Sequence, residues 1–157
     1  MKRTPEPELM DESAQARAYS EADFAVPHEA FCDEAGRVFS NSTVGTVLDL
    51  GCGPADVTVR FARRYPQHSI VGVDGAQAML ALGQARIEAA QLSNRIELRH
   101  CYLPTDALET SFDGAISNSL LHHLADPHVL WHTIAQHVRS DAPIFVMDLM
   151  RPSCVSE

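Results

Sequence analysis

The sequence predicts an α/β fold: a doubly wound, mostly parallel five-stranded sheet in the order 3-2-1-4-5, in a three-layer αβα sandwich with two N-terminal helices ahead of it. Three observations carry this reading. From Thr46 onward, short β-prone runs alternate with longer stretches of helical periodicity. The runs VLDL and IVGV are almost continuously apolar, as strands buried on both faces are. The glycines of GCG at 51–53 turn the first run directly into a helical stretch, a junction that lets backbone approach a ligand which any Cβ would block.

Each element has its own signal. Residues 1–7 are polar, contain two prolines and read as a flexible N-terminus. Residues 8–157 read as one domain, with N-terminal helices in 8–45 and a ligand-binding core in 46–150. Helical patterning covers 8–21 and 27–40, divided by Pro27, and polar 41–45 leads into a strand at 46–50. Pro54 suits the first turn of a helix at 54–65, where its missing N–H leaves nothing unsatisfied. A strand at 69–74, a helix at 76–91, strands at 95–100 and 112–117, a helix at 127–139 and a strand at 143–149 follow. With the first strand central and right-handed crossovers, Gly51, Gly53, Asp74, Ser117 and Asn118 meet at one rim, over the carboxyl ends of strands 1 and 4.

Composition narrows the partners. The 157 residues suffice for one domain with a sizeable core, 45% of them being hydrophobic. A net charge of −9, from 21 acids against 12 bases, argues against nucleic acid, whose binding depends on neutralising phosphates. Cys32, Cys52, Cys101 and Cys154 are scattered without a CxxC pair, which indicates neither a disulfide framework nor a structural metal. No apolar signal region opens the chain and no run reaches the 18 apolar residues of a membrane span, so the expectation is a soluble, cytoplasmic protein.

The glycine turn and a second acid define a nucleotide cradle. The start of the following helix offers N–H groups and a positive dipole end to a carboxylate or phosphate. A dinucleotide fingerprint needs a third glycine or alanine where Asp56 stands, which disfavours NAD. Asp74 ends the second apolar run 21 residues beyond Gly53, close to the spacing of about 20 at which a carboxylate accepts from ribose hydroxyls; a plain helix N-cap is the other account of it.

DLGCG followed by GVDGAQAML resembles the first two motifs of class I S-adenosylmethionine-dependent methyltransferases, which are Rossmann-like. FDGAISNSLLHHLADP is similar to the fourth-strand motif of that family and IFVMDLMRP to its fifth strand, so the resemblance spans residues 44–152. It implies S-adenosylmethionine as cofactor, S-adenosylhomocysteine as product, and a small-molecule acceptor. A cofactor-binding module completed by a partner chain, and a nicotinamide-dependent oxidoreductase, are the other readings.

The resemblance also implies residue roles. Asp49 would bond toward the methionine portion, unless it caps its own loop. Gly51, Cys52 and Gly53 form the turn, and Asp74 with Gly75 lies at the ribose. Met79 packs on adenine or serves only the core. The family often reads the adenine amino group with an acid after strand 3, where this chain has His100, Cys101, Tyr102 and Leu103; Tyr102 or Leu103 then lies against the ring, and Asp106 is a displaced acid or an exposed loop carboxylate. Asn118 binds the donor's amino or carboxylate end, and the absence of an Asn/Asp-Pro-Pro-aromatic tetrapeptide argues against a DNA base as acceptor. His122 and His123 are candidate general bases or packing residues. His128 and His132 lie four apart but lack an assured third ligand, so no metal is expected. Trp131 is expected to pack on the sheet, and Tyr19 to close over the cofactor or pack between helices.

The family continues into strands 6 and 7, whereas this sequence ends at Glu157. Strand 144–149 would then be an apolar edge, a template for a homodimer or strand exchange, or else the sequence is a fragment.

Overall fold

A computed structural model describes residues 9–42, 45–105, 107–108 and 111–149. Its elements run α1 Ser13–Glu21, α2 Ala25–Phe39, β1 Thr46–Leu50, α3 Asp56–Arg64, β2 Ser69–Asp74, α4 Gln77–Ala89, β3 Ile96–His100, β4 Gly114–Asn118, α5 His128–His137 and β5 Ile144–Met147. The five strands form one sheet in the order β3-β2-β1-β4-β5, and every pairing is parallel. This is the order that the sequence predicts.

Alternation along β1 divides the core. Val47 faces α2 and α3, joining Phe31, Phe39, Phe61, Ile70 and Ile87, while Leu48 and Leu50 face the other layer with Val71, Val73, Leu130 and Ile134. Aromatic edges lock the first layer: Phe39 meets Phe61 at 5.1 Å and 87°, and the Tyr65 hydroxyl donates to the Cys32 carbonyl at 2.7 Å. α1 lies against α4 through Ala16, Met79 and Tyr19, at the carboxyl rim of the sheet.

Several boundaries differ from the sequence reading, each for a local reason. α1 starts at Ser13 rather than 8, because Asp11 spends its carboxylate on the Ala78 N–H at the start of α4, at 3.0 Å. α2 starts at Ala25, and Pro27 sits inside its first turn, where a proline costs no hydrogen bond. α3 starts at Asp56 and leaves Pro54 outside, since Ala55 adopts φ 59°, a left-handed conformation that no helix continues. Phe112 makes only an isolated bridge to Val138, so β4 begins at Gly114.

Trp131 is a correction: it is 46% exposed rather than packed on the sheet. The buried face of α5 is Leu130, Thr133, Ile134 and His137, a set spaced by three and four that leaves position 131 outside.

Candidate active site

The turn after β1 is held by its own backbone. Gly51 and Cys52 donate to the Val73 carbonyl at 2.9 and 3.1 Å, and Gly53 donates to Asp74 Oδ2 at 2.8 Å. These turn donors therefore serve the protein. Gly51 (φ 72°) and Gly53 (φ 51°) both need left-handed backbone, but their surroundings differ. A Cβ on Gly51 would lie 2.8 Å from Leu120 Cδ1, whereas one on Gly53 would meet nothing within 4 Å, because the space there is an open cradle.

Asp74 closes the cradle from β2. Its Oδ1 accepts the Ala76 N–H at 2.8 Å, so both oxygens hold backbone donors. Burial raises its pKa above the usual carboxylate value, against those N–H bonds, which lower it. Asp49 is only 2% exposed and takes the Thr58 hydroxyl at 2.7 Å; burial pushes its pKa to about 7.

Two cavities meet over the glycines. The larger, of about 400 Å³, is bordered by Asp74, Gly75, Met79, Tyr102, Leu103 and His123, with Leu9 and Met10 across its mouth. The smaller, of about 120 Å³, is bordered by Asp49, Cys52, His28, Asp56, Arg60 and Arg86. Tyr19, Gly51, Gly53 and Asn118 border both. Gly75 lets the Tyr102 ring come close, since a Cβ there would stand 3.1 Å from Tyr102 Cδ1.

All ten residues assigned to the cofactor from sequence thus border one connected space. The two histidines part company. His123 borders the larger cavity; His122 borders neither, and its Nδ1 lies 2.8 Å from Asp148 Oδ1. Asp106 lies outside the described residues. Among the described residues, no three His, Cys, Asp or Glu side chains gather as a metal site.

The sequence reading missed Leu9 and Met10, which it placed in a helix, and the group His28, Asp56, Arg60 and Arg86. No local signal joins His28 to Asp56, since their pairing spans 28 residues.

The sequence model described as "methyltransferase domain" matches residues 47–141. The chain belongs to the methyltransferase-domain family. It is 38% identical to trans-aconitate 2-methyltransferase of Deinococcus radiodurans over 59% of this chain and 33% of that protein. With malonyl-[acyl-carrier protein] O-methyltransferase of Bacillus cereus it shares 29% identity over 66% of this chain and 37% of that one. The chain therefore spans about a third of the length of either relative. Its fold matches a crystal structure described as a putative S-adenosyl-L-methionine-dependent methyltransferase from Methanococcus maripaludis, with a TM-score of 0.79 and 18% identity over 94% of this chain and 68% of that one. S-adenosylmethionine is the cofactor of this family, and the two cavities suit its mixed chemistry, with the part-buried Asp74 carboxylate and the apolar Met79 and Leu103 among their lining.

Proposed function

We propose that this methyltransferase-family chain transfers a methyl group from S-adenosylmethionine to a small molecule. The observation that carries the reading is the open cradle above Gly53, flanked by the Asp74 carboxylate on the wall of the larger cavity. Asp74 takes the two ribose hydroxyls. Met79, Tyr102 and Leu103 cover the adenine, while Asp49 and Asn118 meet the amino-acid end, where the ionised Asp49 pairs with an ammonium. When bound, the cofactor supplies a methyl on a sulfonium that leaves as a neutral thioether, so placement of the acceptor supplies much of the rate.

A small-molecule acceptor is supported by the acidic net charge and by the name of one relative, trans-aconitate 2-methyltransferase, while the other is named for a malonyl group carried on a protein. The cytoplasm is the compartment we assign, supported by the free Cys32, Cys52 and Cys101. No helix among the described residues is long and apolar enough to cross a membrane. The outer edge of β5 has no strand beside it among the described residues, and Ile144 is 40% exposed there. We extend the reading to pairing of this edge with a second chain, which light scattering at micromolar concentration tests; a monomer that Ile144→Lys leaves unchanged rejects it.

Calorimetric titration with S-adenosylmethionine, S-adenosylhomocysteine and NAD tests the function. Binding of both sulfur compounds, weakened in Asp74→Ala, is the expected result. NAD binding without a response to either sulfur compound overturns the reading.

A further inference from the structure

Among the described residues, His122 pairs with Asp148 and His28 with Asp56, and the second pair borders the smaller cavity. His28 comes from α2 and is 7% exposed. Its Nδ1 lies 2.7 Å from Asp56 Oδ2, at the start of α3. Asp56 is held ionised from three sides. His28, the Arg60 Nε that donates to it at 2.7 Å, and the Arg86 Nη1 at 3.9 Å together lower its pKa well below the usual carboxylate range. In the neutral ring, an ionised carboxylate on Nδ1 favours the tautomer with its proton there, which leaves the lone pair on Nε2. Nε2 has no hydrogen-bond partner among the described residues, and it is not sealed in the interior.

The neighbouring cations are already engaged. Arg86 donates to the Pro54 carbonyl at 2.6 Å and to the Ser20 carbonyl and hydroxyl, while Arg60 spans Asp56 and Glu29. The smaller cavity thus presents a proton acceptor with an oriented ring, in the space that the donor's amino-acid end enters at Asp49 and Asn118 and next to the larger cavity, which shares Tyr19, Gly51 and Gly53.

We propose that His28 Nε2 takes the proton from the methyl acceptor, with Asp56 as its positioning residue, so that the acceptor class is a hydroxyl or a protonated amine rather than a carboxylate. This rests on the methyltransferase reading above. The acceptor's lone pair forms the bond to the methyl carbon while the carbon–sulfur bond breaks with its electrons going to sulfur. The proton lost by the acceptor oxygen or nitrogen goes to Nε2, then to solvent. An ionised carboxylate has no proton to give and needs no such base.

The test compares wild type, His28→Gln and His28→Asn, the last keeping an amide N–H near the Nδ1 position. Purified protein is assayed with S-adenosylmethionine against a panel of alcohols, phenols, amines and trans-aconitate. Product from hydroxyl or amine acceptors, a fall in kcat of about 10²- to 10⁴-fold in both variants, and unchanged S-adenosylhomocysteine affinity are expected. Asp23, Asp49, Asp56, Arg60, Arg86, Tyr19 and Cys52 share the cavity with the ring, and Asp49 titrates near neutrality. The pH limb assigned to His28 is accordingly the one present in wild type and lost in both variants. If trans-aconitate is methylated at the wild-type rate by both variants, or if they lose S-adenosylhomocysteine but retain 5′-methylthioadenosine, the proposal is overturned, and in the latter case His28 holds the donor's amino-acid end. Independently of any acceptor, ¹⁵N NMR of the histidine rings at pH 7 must show His28 protonated on Nδ1 and bare on Nε2; a proton on Nε2 overturns it. Failure of wild type to bind S-adenosylhomocysteine would instead remove the underlying function.

Discussion

The Gly53 N–H reaches Asp74 Oδ2 at 2.8 Å, so the turn after β1 and the end of β2 are one unit rather than two loops that happen to meet. Its other oxygen holds Ala76 and sets the chain's entry into α4. Removing this carboxylate must damage shape and ligand binding together. Asp74→Ala is expected to destabilise by about 1–3 kcal/mol, through a backbone donor left unpaired, and to weaken S-adenosylhomocysteine by roughly 100-fold or more. Asp74→Asn keeps an acceptor for one N–H, so it should lose less stability while still binding poorly. Denaturant melts and calorimetry measure the two effects.

Asp49 links pH to both stability and binding. Its pKa is about 7 in the fold and about 4 in the unfolded chain, so between those values only the folded state holds the proton. Stability should fall as pH rises through this window, by an amount on the order of a few kcal/mol, and then level off. Binding of a ligand ammonium should strengthen over the same rise, as the paired carboxylate form becomes available. Asp49→Asn should flatten both dependences in denaturation and titration series.

Gly51 and Gly53 separate a packing role from a ligand role. Both pay about 1–2 kcal/mol if given a Cβ, because of their positive φ. Gly51→Ala must also displace Leu120, so it should be the more destabilising of the two. Gly53→Ala projects its methyl into the open cradle, and should cost more in S-adenosylhomocysteine affinity than in melting temperature.

Ala55 carries a left-handed backbone while fully buried, which places opposing effects on one methyl group. Ala55→Gly relieves about 1–2 kcal/mol of backbone strain but loses about 0.8 kcal/mol of burial and about 0.5–1 kcal/mol of chain entropy. The net change should lie within about 1 kcal/mol of zero. Ala55→Val, branched at that φ, should destabilise by more than 2 kcal/mol in denaturant melts.

The sheet was legible because each strand announces itself locally, and the parallel order then follows from chain connection rules. That the ten residues assigned to the cofactor would border one space was legible for a related reason: all but Met79, which lies in α4, sit at or just past strand ends, which the topology brings to one rim. Element starts were less so. Ala55 reads as a helix former, and only tertiary packing against α4 reveals that it stops α3 from beginning earlier. Leu9 and Met10 carry helical periodicity but lie over the donor cavity, because Asp11 caps a different helix. His28 resembled any residue on an amphipathic helix; its chemistry comes from a carboxylate on another element, and no spacing rule encodes that pairing.

Asp148, just past β5, grips the turn that follows β4 at two points, the Leu121 N–H at 2.7 Å and His122 Nδ1 at 2.8 Å. That turn contributes Leu120 and His123 to the donor cavity. The outermost strand is thus moored to a wall of the cavity by this carboxylate and by the Met147 carbonyl, which accepts the Ser119 N–H at 2.9 Å, and whatever docks along the sheet's margin has a short mechanical lever on the chamber where the methyl group would be held.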